Sequence, residues 1–328
     1  MNTDFQISST IASEITLHER LKRDVIAGLT SNFKSLPSKY LYDKAGDRLF
    51  QEIMAMPEYY LTKCERDIFE NRTSDLVSAI THIPGPFDLI ELGAGDGMKS
   101  SYLLKVLSDK GVTFTYRPID ISDNILGVLE KRLEKELPDL EIAPLTGEYF
   151  EMLTRATSLS YRRKVVMFLG GNIGNMEWHE IEGFCRELNE KLDKDDIVLI
   201  GFDLRKNPHT VLNAYNDKAG ITAAFNLNML TRLNRELGAD FDLTQFQHYQ
   251  TYDPVSGACR SYLVSLKAQQ IEIDSELIYF EQNELINIEV SQKFSMKEIA
   301  ELAIRTGFKQ SSNIKDSKGW FVDSAWVK

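Results

Sequence analysis

The chain has 328 residues, enough for about two domains of ordinary size. Hydrophobic residues make up 43% and charged residues 27%, as in a globular protein with a sizeable core. Thirty-eight basic residues against 49 acidic ones leave a net charge of −11, which argues against the basic surface that nucleic-acid binding needs.

Residues 1–15 are polar and rich in Ser and Thr, and read as a mobile arm. The start of the chain has no basic segment followed by an apolar one, so no signal peptide is expected. No apolar stretch reaches the length of a membrane span, and a cytoplasmic protein without a membrane partner is the expectation. Residues 16–30 have helical spacing. A short helix is expected around 46–55, between Pro-bounded, aromatic-rich pieces, and one long helix from about Thr62 through "LTKCERDIFENRTSDLVSAI".

From Pro84 the pattern changes. "FDLIELGAG" reads as a strand ending in glycines, and "MKSSYLLKVLSDKG" as a helix that stops at Gly111. Strand "VTFTYRPIDIS", helix "DNILGVLEKRLEKEL", strand "LEIAPLTGEYF", strand "RKVVMFLGGNIGN", helix "MEWHEIEGFCRELNEKL" and strand "DDIVLIGFDL" follow. Strands alternating with helices at short intervals predict an α/β fold with a parallel, doubly wound sheet. After residue 204 the rhythm breaks. Residues 207–238 read as helical, then come strands in "HYQTYDPVSGACRSYLVSLKAQQIEI" and "ELINIEVS". Helix "SMKEIAELAIRTGF" and a final strand "GWFVDSAWVK" return to the first sheet. The expected organisation is therefore an N-terminal arm and helix (1–30) belonging to the nucleotide-type domain, a part of a second domain (31–62), the main α/β domain (63–204), an inserted α+β domain (205–290) and a C-terminal return (291–328).

Glycines in "ELGAGDGMK" sit between a strand and a helix N-terminus, where a backbone can cradle a nucleotide-like cofactor at the carboxyl edge of a parallel sheet. Structural turns use glycine too, so the loop alone is a weak signal. A dinucleotide fingerprint is G-x-G-x-x-G with its ribose acid about 20 residues on. Here the spacing is G-x-G-x-G, and the next acid at a strand end is Asp120, 27 residues after Gly93. A carboxylate there can accept both ribose hydroxyls of an adenosine. The pattern resembles class I S-adenosylmethionine methyltransferases, whose cofactor has no phosphate to neutralise. Asp120 could instead cap the next helix, although Ser122 or Asp123 can do that.

Six stretches sharpen the resemblance: "LPSKYLYDKAGDRLFQEIMAMPEYYLT", "ELGAGDGMKS", "FLGGNIGNM", "AYNDKAGITAAFNLNML", "NRELGADFD" and "IEVSQKF". In this order, from about residue 25 to the end, the chain is similar to the histidine-specific N-α-methyltransferases of the ergothioneine pathway. The resemblance implies a class I methyltransferase domain with an inserted α+β substrate-binding domain. It implies S-adenosylmethionine as methyl donor, held by Gly93, Lys99, Asp120, Glu148 and Tyr149, where a Glu-Tyr pair replaces the family's Asp-Phe. It implies L-histidine as the small-molecule acceptor, held by Tyr42, Tyr59, Asn175, Tyr215, Glu289 and Ser291, with Asn175 and Tyr59 at the reacting amine. Glu289 and Ser291 are two apart in a strand and face one side, so they can hold the imidazole nitrogens. Tyr215 would take the carboxylate.

Each residue also has an ordinary role: packed tyrosines with satisfied hydroxyls, Asn175 as a helix cap, Glu289 and Ser291 on a solvated sheet face. Taken jointly in matched motifs, the functional roles are preferred. Cys64, Cys185 and Cys259 are widely spaced, and the five histidines lack metal-ligand spacing, so packed thiols and no metal are expected. Trp178, Trp320 and Trp326 read as packing residues. A monomer is expected. Ser261 departs from the residue expected beside the substrate and leaves room for another acceptor, such as tryptophan. A non-catalytic S-adenosylmethionine-binding protein is the reading from a different class.

Overall fold

The computed structural model describes residues 18–328; the polar arm expected over 1–15 lies outside the described residues. The chain divides into two compact units. One comprises the described residues up to Tyr59 together with Asn207–Ser291, and the other Tyr60–Lys206 together with Gln292–Lys328.

In chain order, helix α1 (18–29) and α2 (Lys44–Ala55) open the first unit. Asp43 caps α2 by accepting from the Gly46 N–H at 2.7 Å. The second unit begins with α3 (Leu61–Asn71) and α4 (Thr73–Thr81). The single long helix expected here is two, because Arg72 leaves the helical region at φ −123° and ψ 18°. Then come β1 (Phe87–Leu92), α5 (Ser100–Asp109), β2 (Phe114–Asp120), α6 (Asp123–Glu136), β3 (Glu141–Ile142), β4 (Leu145–Thr146), α7 (Tyr149–Ser158), β5 (Arg163–Phe168), α8 (Trp178–Lys191) and β6 (Ile197–Asp203). The strand expected over "LEIAPLTGEYF" is two short pieces broken at Ala143 and Pro144, and Tyr149 already begins a helix. Proline has no N–H for the ladder, which accounts for the break.

Chain 207–291 adds α9 (Pro208–Ala214), α10 (Ile221–Leu237), β7 (Phe246–Tyr252), β8 (Ala258–Ser265), β9 (Gln269–Ile273), β10 (Glu276–Phe280) and β11 (Leu285–Gln292). The second unit closes with α11 (Met296–Arg305), β12 (Lys309–Lys315) and β13 (Phe321–Val327). Ser295 and Glu298 start α11 with a reciprocal capping box.

The second unit holds an eight-stranded sheet in the order β12-β13-β6-β5-β1-β2-β3, with β4 also pairing β2. Strands β1, β2, β3, β4, β5 and β6 pair in parallel. β13 runs antiparallel between β6 and β12. This is the class I methyltransferase sheet. β1 and β6 are buried along their full lengths, so their sequences are apolar runs rather than alternating ones. β12 was not anticipated: "KQSSNIK" alternates exposed residues with half-buried ones and the buried Ile314, and carries no apolar run. Among the described residues, no helix is long and apolar enough to cross a membrane.

The first unit packs α10 against α2, with a three-stranded sheet β11-β8-β7 and a two-stranded sheet β10-β9. The chain from 18 to 30, expected with the methyltransferase domain, packs in this unit. Lys22 pairs with Asp274, Tyr40 donates to Asp24 at 2.8 Å, and Ser35 N–H donates to the Gly28 carbonyl at 3.2 Å. A Cβ at Gly28 would lie 2.1 Å from the Ser35 carbonyl oxygen, so α1 is seated against backbone that cannot retreat cheaply. Gly28→Ala is therefore expected to destabilise the protein by roughly 1–3 kcal/mol, read as a lowered Tm.

Candidate active site

The carboxyl edge of the parallel sheet collects the glycine loop. Gly93, Gly95 and Gly97 have φ of 69°, 55° and 62°, left-handed values that glycine adopts without strain. Gly93 N–H donates to the Ile119 carbonyl at 2.8 Å and Gly95 N–H to the Asp120 carboxylate at 3.1 Å. The other Asp120 oxygen accepts from Ser122 N–H at 3.0 Å. Ser122, not Asp120, caps α6, accepting from Ile125 N–H at 3.3 Å. Among the described residues, and apart from its chain neighbours, none places an atom within 4 Å of where a Cβ would stand at Gly95, so the loop has open space at its crest.

Glu148 and Tyr149 start α7, just after Gly147 N–H bonds the Asp120 carbonyl at 3.0 Å. A Cβ at Gly93 would meet the Tyr149 hydroxyl at 2.7 Å, so only glycine leaves room for that ring. Burial, with the charges of Asp120 and Glu148, pushes the Tyr149 phenol up to about 12, and it stays a protonated donor. Gly93, Asp120, Glu148 and Tyr149 thus stand together. The cradle, the strand-end carboxylate and the adjacent ring suit an adenosine.

Lys99 stands at the N-cap of α5 and pairs with Glu65, a residue the sequence reading did not single out. The second Glu65 oxygen accepts from Gly170 N–H at 2.7 Å. Burial alone would lower the Lys99 ammonium; Glu65, then Glu91 and Asp323, outweigh it and hold it above its ordinary value. Asp323 is buried, and burial followed by the Glu65 charge holds its carboxyl far above the carboxylate range. A signal for Glu65 was present: Leu61, Glu65, Ile68 and Phe69 share one stripe of α3, and an acid there is out of place unless paired.

Asn175 ends a 3₁₀ turn (Asn172–Asn175) that follows Gly170 and Gly171, both left-handed, after β5. Its side chain is exposed and does not cap α8. Glu177 does so in a reciprocal box with Glu180, whose carboxylate accepts from Glu177 N–H at 2.7 Å.

In the other unit, Tyr42, Tyr59, Tyr215, Glu289 and Ser291 gather. Tyr42 packs edge-on to Phe50 and Phe225, Phe50 to Tyr59, and Tyr59 to Tyr215 with centroids 6.0 Å apart. The Tyr215 hydroxyl and Ser291 Oγ are hydrogen-bonded at 2.8 Å. Tyr42 keeps 38% of its surface, yet the protein crowds it: burial, then the charges of Glu289, Tyr59 and Asp47, hold its phenol well above the usual range. In β11, Ile286, Ile288 and Val290 are buried, and Asn287 and Glu289 on the opposite side are only half-buried. Glu289 and Ser291 share that side, as the strand period requires.

Ser261 is buried on β8 and donates to Gln250 Oε1 at 2.8 Å. All three cysteines are buried and unbridged, and burial pushes the Cys64 and Cys185 thiols up to about 12. Trp326 lies in the core, Trp178 packs against Phe294, and Trp320 packs against Tyr60.

Sequence reading also passed over His248. Its Nε2 lies 3.2 Å from the Tyr215 carbonyl, so Nε2–H is the donor and Tyr215 is held from its backbone as well as its hydroxyl. Burial holds the imidazole below its ordinary value, against weaker upward effects of Tyr215 and Asp217. The unfolded chain then binds the proton more readily than the fold. This contribution to stability is present above about pH 6.5 and is lost as the pH falls below that value. The fall in Tm on acidification through that window should be shallower in His248→Gln than in the unsubstituted protein.

Residues 21–328 match the family described as histidine-specific methyltransferases, SAM-dependent. The chain is 34% identical over 313 residues to a histidine N-alpha-methyltransferase of Mycolicibacterium smegmatis, covering 94% of this chain and 95% of that protein. It is 34% identical over 289 residues to the protein of that name from Mycobacterium tuberculosis, covering 87% and 88%. It is 30% identical over 288 residues to ergothioneine biosynthesis protein 1 of Schizosaccharomyces pombe, covering 86% of this chain and 37% of that protein. With its sheet order, its glycine cradle and this match over nearly its whole length, the chain belongs to the S-adenosylmethionine-dependent, histidine-specific methyltransferase family.

Proposed function

We propose that this enzyme methylates the α-amine of L-histidine, through to the N,N,N-trimethyl betaine hercynine. One observation carries the choice of acceptor. The first unit gathers four aromatic rings and a Tyr-Ser hydrogen bond with the carboxylate of Glu289, whose charge acts on Tyr42 ahead of that of Asp47. An imidazole has one nitrogen that donates and one that accepts, and Glu289 with the Ser291 hydroxyl offers both partners. An indole has one donor and no acceptor, and would leave part of this group unpaired.

In this reading Gly93, Gly95, Asp120, Glu148 and Tyr149 hold S-adenosylmethionine, with Lys99 near its amino-acid end; bound there, it supplies a methyl on a sulfonium. The chain's own residues align the acceptor. Asn175 and Tyr59 are assigned the amine, and Tyr215 the carboxylate; the Tyr215–Ser291 hydrogen bond must open when both hydroxyls donate to the substrate, one to the carboxylate and one to the imidazole. The amine must shed a proton before each transfer. Tyr42 is poorly suited to take it, because its phenol holds its own proton to high pH. Its ring, with that of Tyr59, suits the ammonium that grows with each round, since a cation is attracted to an aromatic face. Alignment and removal of water then supply most of the acceleration. Apart from Asn175, the residues assigned to the acceptor belong to the unit of described residues up to Tyr59 and Asn207–Ser291.

Incubation with histidine and S-adenosylmethionine should give products about 14, 28 and 42 mass units heavier than histidine, one step per added methyl, and tryptophan offered side by side should give none. Absence of any methylated histidine would overturn the proposal. Glu289→Ala should raise the histidine KM by roughly 10–100-fold and leave the cofactor Kd within about twofold. Equal losses of both would mark Glu289 as a folding residue.

A further inference from the structure

The chain passes between the two units three times, at Tyr59/Tyr60, Lys206/Asn207 and Ser291/Gln292. Within the methyltransferase unit, the residues beside all three crossings meet on one carboxylate. Asp203, the last residue of β6, is 2% exposed. The Tyr60 hydroxyl donates to its Oδ2 at 2.8 Å. Lys293, fully buried, places Nζ 2.8 Å from the same oxygen, and Lys206 Nζ pairs with Oδ1. Lys206 also donates to the Leu204 carbonyl at 2.5 Å and lies 4.1 Å from the centre of the Tyr60 ring. Backbone bonds extend the group: Phe294 N–H donates to the Asp203 carbonyl and Arg205 N–H to the Phe294 carbonyl, both at 2.9 Å.

Such a cluster is expensive. Each buried ion gives up its hydration, and an apolar group of the same shape would often serve stability better. Burial keeps the Lys206 ammonium below its ordinary value even with Asp203 beside it. The arrangement therefore invites a role in position rather than in stability. Tyr60, Lys206 and Lys293 lie one, one and two residues from the crossings. On the far side of two of them stand Tyr59 and Ser291, with Glu289 two residues before Ser291 in the same strand.

We propose that Asp203, with Tyr60, Lys206 and Lys293, is a positioning cluster that anchors all three exits of the chain and so fixes where Tyr59, Glu289 and Ser291 are presented to the acceptor. None of the four needs to touch substrate. The role in acceptor binding rests on the function proposed above; the anchoring of the exits does not.

The test compares Tyr60→Phe and Asp203→Asn with the unsubstituted enzyme. Tyr60→Phe keeps the ring on Lys206 and Trp320 and removes one hydrogen bond to a charged group. It should raise the histidine KM roughly tenfold, with the cofactor Kd and Tm little changed. Amide exchange should quicken in peptides covering 58–61, 204–208 and 290–294 together, and Asp203→Asn should show the same pattern more strongly. Unchanged exchange at these three peptides overturns the proposal. So does quickened exchange spread through the whole methyltransferase unit with equal loss of histidine and cofactor binding, the mark of a merely structural cluster. If the unsubstituted protein methylates no histidine, the functional reading falls, and the exchange pattern alone decides whether the exits are anchored here.

Discussion

The hydrogen bond from Gly95 N–H to the Asp120 carboxylate is the constraint on which the cofactor edge depends. It joins the loop after β1 to the end of β2, and requires the left-handed backbone that Gly95 adopts. Parallel pairing makes it possible. With Leu92 opposite Ile119, the two strands end at the same edge, and whatever follows each is delivered there. Asp120 is then a shared post: its carbonyl takes Gly147 N–H, and its carboxylate takes Gly95 and Ser122. Tyr149 is thereby carried over Gly93. A site built this way is preorganised, because backbone N–H groups hold both oxygens of the Asp120 side chain.

Charge burial is the second organising theme. The methyltransferase unit buries Glu65, Glu91, Asp203, Lys293 and Asp323 in and around its sheet. An acid in such surroundings must find a cation, find donors, or take up a proton. Each solution is used. Asp203 has two lysines, Glu65 has Lys99 and a backbone N–H, Glu91 accepts from Tyr116 at 2.5 Å, and Asp323 is driven toward its neutral form. These groups tie helix α3 and the segments after β6 and β11 to the sheet edge, where apolar packing alone would allow several registers.

The α+β unit solves a different problem. It combines aromatic surface with few polar groups, which in the proposed function suits a small, polar, partly cationic molecule. The ring series from Tyr42 through Phe50 and Tyr59 to Tyr215 supplies the surface. Tyr215 is held at both ends, by Ser291 at its hydroxyl and by His248 at its carbonyl. A phenol kept neutral, as that of Tyr42 is, can donate a hydrogen bond and offer a π-face without competing for the proton that the amine loses in the proposed reaction.

The proposed acceptor residues came from resemblance to a family, while the amino-acid sequence by itself determined the α/β alternation, the glycine loop and the strand-end acid. These are local signals: apolar runs for buried strands, glycines where φ must be positive, a period of two that puts Glu289 and Ser291 on one side. Its failures were local too: one helix expected where Arg72 makes two, and a polar β12 that carries no strand pattern. Only the tertiary structure decided that helix 18–29 packs with the α+β unit, that Lys99 is paired to Glu65, that His248 holds Tyr215, and that Asp203 collects Tyr60, Lys206 and Lys293. For the three paired groups the physical reason is the same. A charge or polar group removed from water must be matched by a partner, and that partner, 34 residues away for Lys99 and 143 for Tyr60, is chosen by how the chain folds back and not by spacing along it.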